Sequence, residues 1–296
     1  MAVIIDGKKV AEEIRGEIQK EVGELKQRTG KTPGLAVVLV GEDPASQVYV
    51  RMKNKACEDL GIQSFQYRYD ASLTQEELLK LIGELNARED VNGILVQLPL
   101  PKHIDESLVI DSIDPDKDVD GFHPFNVGRM VIGDEGGFLP CTPYGCQVLI
   151  GKHMPDTKGK HLVIVGRSNI VGKPLANMMV QKSRLANCIV TVCHTAAPDI
   201  SYYTKQADIL VVAAGRAEVV TGDMIKPGAV VIDVGVNRIT DPEDPAKTRL
   251  VGDVKYDEAS RVASAITPVP GGVGPMTITM LMKNTLKAFK KHNRID

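Results

Sequence analysis

Short apolar runs decide what this chain can fold into. Residues 35–40, 62–69, 93–98, 161–165, 189–193, 209–213 and 230–234 each read as a strand, most of them rich in Val, Ile or Leu. Continuous apolar runs of that length suit strands buried on both faces. Segments of helical period separate them. In residues 8–28, Val10, Ile14, Ile18, Val22 and Leu25 recur at helical spacing. Asp43-Pro44 supplies an N-cap acid followed by proline at the first helical position, and that helix should stop at Gly61. Further helices are predicted at 75–87, from 173, and at 276–290. Strands alternating with helices predict an α/β fold built on parallel sheet. Residues 114–142 break the alternation with Asp, Pro and Gly and are read as loops and short turns.

The chain has 296 residues, enough for two domains, with 43% hydrophobic and 25% charged residues. That composition excludes wholesale disorder. A net charge of −2 and the absence of Trp give no case for nucleic acid or an anionic membrane. No apolar run is long enough to span a bilayer, and the first residues lack a signal-peptide pattern. The five cysteines are sparse and odd in number, which fits a reducing cytosol. Cys141/Cys146 and Cys188/Cys193 share a C-x4-C spacing. Zinc is one reading, but the second pair brackets a strand and would point to opposite faces.

Residues 162–174 combine a buried strand, a glycine turn (Gly166-Arg-Ser-Asn-Ile-Val-Gly-Lys-Pro174) and a helix start. This is the context of a dinucleotide site, where backbone N–H groups and the helix dipole face a pyrophosphate. Ser168 replaces the second glycine of the usual pattern, and one extra residue precedes Gly172, so a plain strand–helix turn is the other reading. The next strand ends in Cys193-His194-Thr195, with no carboxylate for a ribose 2′-hydroxyl. Arg167 and neutral polar groups suit a 2′-phosphate, which favours NADP. Ala213-Ala214-Gly215 and Val234-Gly235 end two further strands in small residues that allow a ligand close approach.

Tyr49 and Lys53 lie four apart on the helix after Pro44 and share a face. The buried stripe is expected to include Val48, Met52, Ala56 and Leu60, with Tyr49 and Lys53 at its edge. A lysine held against apolar surface loses hydration, and its pKa falls toward the range of a proton shuttle. The same position would also suit a lysine that simply snorkels to water. Gln97, in the run Gly93-Ile-Leu-Val-Gln-Leu-Pro-Leu-Pro101, needs hydrogen-bond partners if buried. It could hold Lys53 or be an ordinary satisfied core residue. Asp114-Pro-Asp-Lys-Asp-Val-Asp-Gly121 carries four carboxylates in one loop. Pro268-Val-Pro-Gly-Gly-Val-Gly-Pro-Met-Thr277 is rigid, allows close backbone approach, and reads as a ligand-facing loop or a stiff helix start.

Taken with Pro44-Ala-Ser-Gln-Val-Tyr-Val-Arg-Met-Lys53 and Pro140-Cys-Thr-Pro143, these segments resemble the bifunctional methylenetetrahydrofolate dehydrogenase/methenyltetrahydrofolate cyclohydrolase family. They occur in the family's order from Pro44 to Thr277. The resemblance implies oxidation of 5,10-methylenetetrahydrofolate with NADP⁺. It further implies hydrolysis of the methenyl product to 10-formyltetrahydrofolate, in one-carbon metabolism that feeds purine biosynthesis. It implies Lys53 as general acid/base, Tyr49 as its partner and a folate-positioning group, and Gln97 as hydrogen-bond partner of Lys53. Asp120 would hold the pterin, and the loop with Pro270, Gly271, Gly272 and Gly274 would line the folate. The cofactor would meet Gly166, Arg167, Ser168, Ile170, Val171, His194, Thr195, Ala214, Gly215, Val234 and Gly235. No metal is implied.

The implied architecture has two lobes. Residues 1–140 form a catalytic and folate-binding lobe, completed by the C-terminal helix 276–296. Residues 141–275 form a Rossmann-type NADP domain, with the substrate cleft between the lobes. A cytoplasmic homodimer is implied too. One departure stands out: His194-Thr195-Ala-Ala-Pro-Asp199 lacks the basic residue that family members often carry there. A different NADP dehydrogenase on the same two-lobe scaffold, or a non-catalytic NADP or folate sensor, are the competing readings.

Overall fold

The computed structural model describes residues 1–241 and 247–295. In chain order the elements are β1 (Val3–Ile4), α1 (Gly7–Thr29), β2 (Gly34–Val40), α2 (Pro44–Leu60), β3 (Gln63–Tyr69), α3 (Gln75–Ala87) and β4 (Gly93–Val96). Then come α4 (Glu106–Asp111), α5 (Pro124–Ile132), α6 (Cys141–His153), β5 (His161–Val165), α7 (Gly172–Met179), β6 (Ile189–Cys193), α8 (Ser201–Thr204) and β7 (Ile209–Val212). The chain ends with β8 (Val230–Asp233), β9 (Asn237–Thr240), β10 (Thr248–Val251), α9 (Tyr256–Val262), β11 (Ala265–Ile266) and α10 (Val273–Asn293).

The chain forms two compact units. One comprises Met1–Ala11 with Thr142–Thr277, and the other Glu12–Cys141 with Ile278–Asp296. The division falls inside α1, at the start of α6 and inside α10. Residues 1–11, expected in the first lobe, group instead with the nucleotide-motif unit, because β1 pairs in parallel with β11.

The smaller sheet is parallel, in the order β3-β2-β4. Central β2 is buried along its whole length, as its unbroken apolar sequence requires. Asp43 caps α2 by accepting from the Ser46 amide at 2.7 Å, and Gly61 ends it in the left-handed conformation. Leu78, Ile82 and Leu85 of α3 pack with Ala36, Val38, Ile94 and Val96 in one core. Buried Lys117 donates to the carbonyls of Asn86 and Arg88 at 2.8 and 2.6 Å, satisfying the end of α3.

The larger sheet is parallel in the order β1-β11-β8-β7-β5-β6. β6 and β7 flank β5 on opposite sides, so the chain runs outward from β5 to β6 and then crosses back over β5 to β7. A doubly wound sheet binds ligands at such a switch point, beyond the strands' carboxyl ends. The antiparallel pair β9–β10 stands apart from this sheet.

Two expectations change. The stretch 114–142 is not all loop. His123 caps α5 through its ring nitrogen, Pro124 occupies the first turn, and α6 begins at Cys141. The buried face of α2 is also rotated from the expected stripe. Val48 and Met52 are 45% and 46% exposed, whereas Val50, Lys53, Asn54, Ala56, Cys57 and Leu60 are buried.

Candidate active site

Rotation of α2 places Lys53 within its buried face, 8% exposed, rather than at its edge. The side chain does not snorkel. Its Nζ donates to Gln97 Oε1 at 3.0 Å, and Gln97 Nε2 donates to the Leu98 carbonyl at 2.6 Å. The amide of Gln97 is thereby fixed, with its oxygen facing the lysine. Burial lowers the Lys53 pKa, while Asp120 and Cys141 act in the opposite direction. Burial raises the Asp120 carboxyl, and Lys53 together with a hydrogen bond from Cys141 pulls it back down. The Cys141 thiol is raised well above its ordinary value by burial and by Asp120. A cationic group, a carboxyl and a thiol thus share a poorly hydrated pocket, and their protonation is interdependent.

Asp120 is held there by its neighbours. Asp118 is buried and accepts from the amides of Gly121, Phe122 and His123 at 3.1, 3.2 and 2.9 Å, and from Asn126 Nδ2 at 2.9 Å. Burial still pushes its carboxyl up to about 6. Gly121 has φ +77°, and a Cβ there would lie 2.7 Å from the Leu139 carbonyl carbon. From α10, Asn284 Nδ2 donates to the Val119 and Leu139 carbonyls at 2.8 and 2.9 Å. Sequence reading missed Asp118, Asn126, Cys141 and Asn284 as organisers of this site. Asp118 was visible only as one acid among four. Tyr49 lies one turn before Lys53 on α2, half-buried.

The glycine turn lies in the other unit. Gly166 follows β5 with φ +122°, and a Cβ on it would collide with the Ala213 carbonyl oxygen. Its amide donates to the Cys193 carbonyl at 2.8 Å, and the Ala213 amide donates to the Val165 carbonyl at 2.8 Å. The carboxyl ends of β5, β6 and β7 therefore lie level. A Cβ on Gly172, at the first turn of α7, would strike the Gly166 carbonyl oxygen. Ser168, at the position of the missing second glycine, accepts from the Val171 amide at 3.1 Å and the Gly172 amide at 3.4 Å. The hydroxyl thus engages two of the N–H groups a pyrophosphate would otherwise meet.

Arg167, Ser168 and Ile170 are exposed and Val171 is buried. His194 is half-buried, with Nδ1 accepting from the Ala196 amide at 3.2 Å, and Thr195 is exposed. Ala214 is half-buried, Gly215 is exposed with φ +66°, and the Val234 amide continues the ladder to the Val212 carbonyl at 2.9 Å. The loop with Pro270, Gly271, Gly272 and Gly274 belongs to this same unit. There the Lys8 amide donates to the Gly271 carbonyl at 3.2 Å, and Gly7 packs so closely that a Cβ would strike the Gly272 oxygen. The close backbone approach at Gly166, the exposed cation beside it and the level strand ends fit a phosphorylated dinucleotide.

All five cysteines are free and buried. Among the described residues, no group of three or more His, Cys, Asp or Glu side chains is placed to hold a metal, and no helix is long and apolar enough to cross a membrane.

Two family models match the chain. The tetrahydrofolate dehydrogenase/cyclohydrolase catalytic domain matches residues 5–120, and the NAD(P)-binding domain of the same name matches residues 140–293. The bifunctional protein FolD of Chlorobium limicola is 58% identical over 99% of this chain and 100% of its own length. The crystal structure of FolD methylenetetrahydrofolate dehydrogenase/cyclohydrolase from Campylobacter jejuni superimposes with a TM-score of 0.92 at 48% identity, covering 100% of both chains. The Trypanosoma brucei enzyme, described as complexed with NADP cofactor and inhibitor, gives 0.92 at 43% identity, covering 99% of both chains.

Proposed function

The chain belongs to the tetrahydrofolate dehydrogenase/cyclohydrolase family, and from that premise we propose how its own residues divide the work. The protein oxidises 5,10-methylenetetrahydrofolate with NADP⁺ and hydrolyses the 5,10-methenyl product to 10-formyltetrahydrofolate. The observation that carries the reading is the buried Lys53, 3.0 Å from the oriented oxygen of Gln97 and within the field of Asp120.

Hydrolysis adds water to the methenyl carbon and cleaves its bond to one ring nitrogen. Both protons leave the attacking water as the formyl C=O forms: one must reach the departing nitrogen, and the other is released to solvent. Lys53 takes the first proton from the water and delivers one to the nitrogen. Burial lowers its pKa, so it exists partly as the neutral amine below the usual lysine range and can accept the water proton. As ammonium it then returns a proton to the departing nitrogen. Gln97 accepts from Nζ and fixes its direction. Asp120 opposes the fall in the Lys53 pKa and presents a carboxyl to the amino-substituted pterin. Tyr49, one turn away, places the folate.

For the oxidative half, bound NADP⁺ accepts a hydride, and the protein supplies position. We assign cofactor contacts to Gly166, Arg167, Ser168, Ile170, Val171, His194, Thr195, Ala214, Gly215, Val234 and Gly235, with Arg167 facing the 2′-phosphate. Pro270, Gly271, Gly272 and Gly274 line the folate. In domain terms, folate chemistry falls to residues 1–140 with the C-terminal helix, less the first eleven residues, which pack with the cofactor-carrying residues 141–275.

The protein acts as a cytosolic homodimer that supplies formyl groups to purine biosynthesis, without nucleic-acid or membrane partners. The edge position of β6, with Ile189 63% and Val192 39% exposed, supports pairing through this strand. The test is a spectrophotometric assay of purified protein. Methylenetetrahydrofolate is supplied with NADP⁺ or NAD⁺, and loss of methenyltetrahydrofolate is followed separately. Turnover in both assays, faster with NADP⁺, is expected. Oxidation without hydrolysis removes Lys53 from its assigned role, and no turnover in either assay removes the enzymatic reading.

A further inference from the structure

Two buried aspartates lock the strand ends of the six-stranded sheet together, and neither lies in the segments that carry the family resemblance. Asp253 has no exposed surface. Its Oδ2 accepts from the amides of Ala214 and Gly215 at 2.7 and 2.8 Å. Its Oδ1 accepts from the Arg216 amide at 3.0 Å and from Asn237 Nδ2 at 2.8 Å. Three successive backbone N–H groups, with Gly215 left-handed at φ +66°, form a concave nest of the kind that binds anions. Here the anion belongs to the chain itself.

Asp233, 4% exposed at the end of β8, holds Asp253 in turn. It accepts from the amides of Gly235, Asp253 and Val254 at 3.0, 2.9 and 2.9 Å. The packing is reciprocal. A Cβ on Gly252 would collide with the Asp233 carboxylate, and a Cβ on Gly235 would collide with that of Asp253. Both glycines are thus needed to admit the carboxylates.

We propose that Asp253 is a positioning residue for cofactor binding, a built-in anion that fixes the turn after β7, with Asp233 fixing Asp253. The proposal rests on the reading that these strand ends bind NADP. Its consequence is specific. The N–H groups of Ala214, Gly215 and Arg216 are already committed and cannot bind a cofactor phosphate. The β7 turn therefore contributes shape and its exposed Gly215 face rather than free N–H groups.

The test compares the parent with Asp253→Asn and Asn237→Ala, reading NADP⁺ affinity by titration and the split between KM and kcat in the dehydrogenase assay. The amide in Asp253→Asn places N–H against N–H in the nest. It should raise both Kd and KM for NADP⁺ by about 10-fold, equivalent to about 1.4 kcal/mol, with kcat at saturation within about twofold. Asn237→Ala removes one donor of four and should raise KM by about 2–3-fold. A folded Asp253→Asn protein with the parent's KM overturns the proposal. If Asp253→Asn does not fold, Asn237→Ala decides, and an unchanged KM there overturns it. Failure of the parent itself to bind NADP⁺ identifies the underlying reading as the fault and removes the proposal with it.

Discussion

The two units bury ionisable groups for opposite ends. In the six-stranded unit, Asp253 accepts four hydrogen bonds and Asp233 three from backbone, so these carboxylates hold a main-chain shape. In the three-stranded unit, Lys53 has one side-chain partner in Gln97 and otherwise senses Asp120 and Cys141 through space. A carboxylate engaged by several fixed donors acts as a strut, whereas a sparsely partnered lysine in a dry pocket can turn toward a reacting group. The contrast matches the chemistry, because a dinucleotide brings its own reactivity whereas hydrolysis needs a proton shuttle from the protein.

The largest expected effect separates the units outright. Lys53→Met should slow methenyltetrahydrofolate hydrolysis by about 10²–10⁴-fold while NADP⁺ affinity stays at the parent value. Normal hydrolysis by that variant would end the contrast. The converse substitution is Gly166→Ala. Its Cβ has no room against the Ala213 carbonyl, and φ +122° strains any L side chain. Dehydrogenase kcat/KM for NADP⁺ should fall by about 100-fold, with the strained backbone costing about 1–3 kcal/mol of stability. Folded protein with parental NADP⁺ kinetics would contradict the assigned turn.

Arg167→Ala should cost less. Loss of a charge-assisted contact to the 2′-phosphate, worth about 1.5–3 kcal/mol, should raise KM for NADP⁺ by at least about 10-fold and leave that for NAD⁺ unchanged. An equal rise for both cofactors would place Arg167 elsewhere. The smallest effect concerns one buried carboxyl in each unit. Asp118 is pushed up to about 6 and Asp233 to about 7, above the unfolded value near 4. Each contributes stability that is full below about pH 4 and lost as pH rises through its folded pKa. Asn cannot titrate, so the melting-temperature cost of Asp118→Asn or Asp233→Asn should shrink by about 3 °C between pH 5 and pH 8. The change should centre at lower pH for Asp118. A cost that grows with pH would reverse the assigned direction.

The βαβ skeleton was legible because its signals are local. β2 is apolar throughout, and α2 has Asp43-Pro44 and Gly61 at its ends. β1 and β11 have two residues each, too few for any pattern. β9 and β10 are polar and largely exposed and lack an apolar signature. α5 was hidden in a Pro- and Gly-rich stretch because its cap is the ring nitrogen of His123. The α2 stripe was misphased for a functional reason. Its buried face contains Lys53 and Asn54, so hydropathy pointed toward Val48 and Met52 instead.

By itself the sequence determined the alternation of strands and helices, the glycine turn after β5, and the residue types for both chemistries. Those features depend on neighbours in the chain, which set backbone preference and apolar period. Tertiary structure alone decided that Lys53 is buried, that Gln97 turns its oxygen to it, and that Asp120 and Cys141 share its pocket. It alone placed the carboxylate of Asp253 in the nest after β7. The energy of a buried charge depends on which dipoles surround it, and here those dipoles come from residues distant in the chain, such as Gln97 for Lys53 and Ala214 for Asp253.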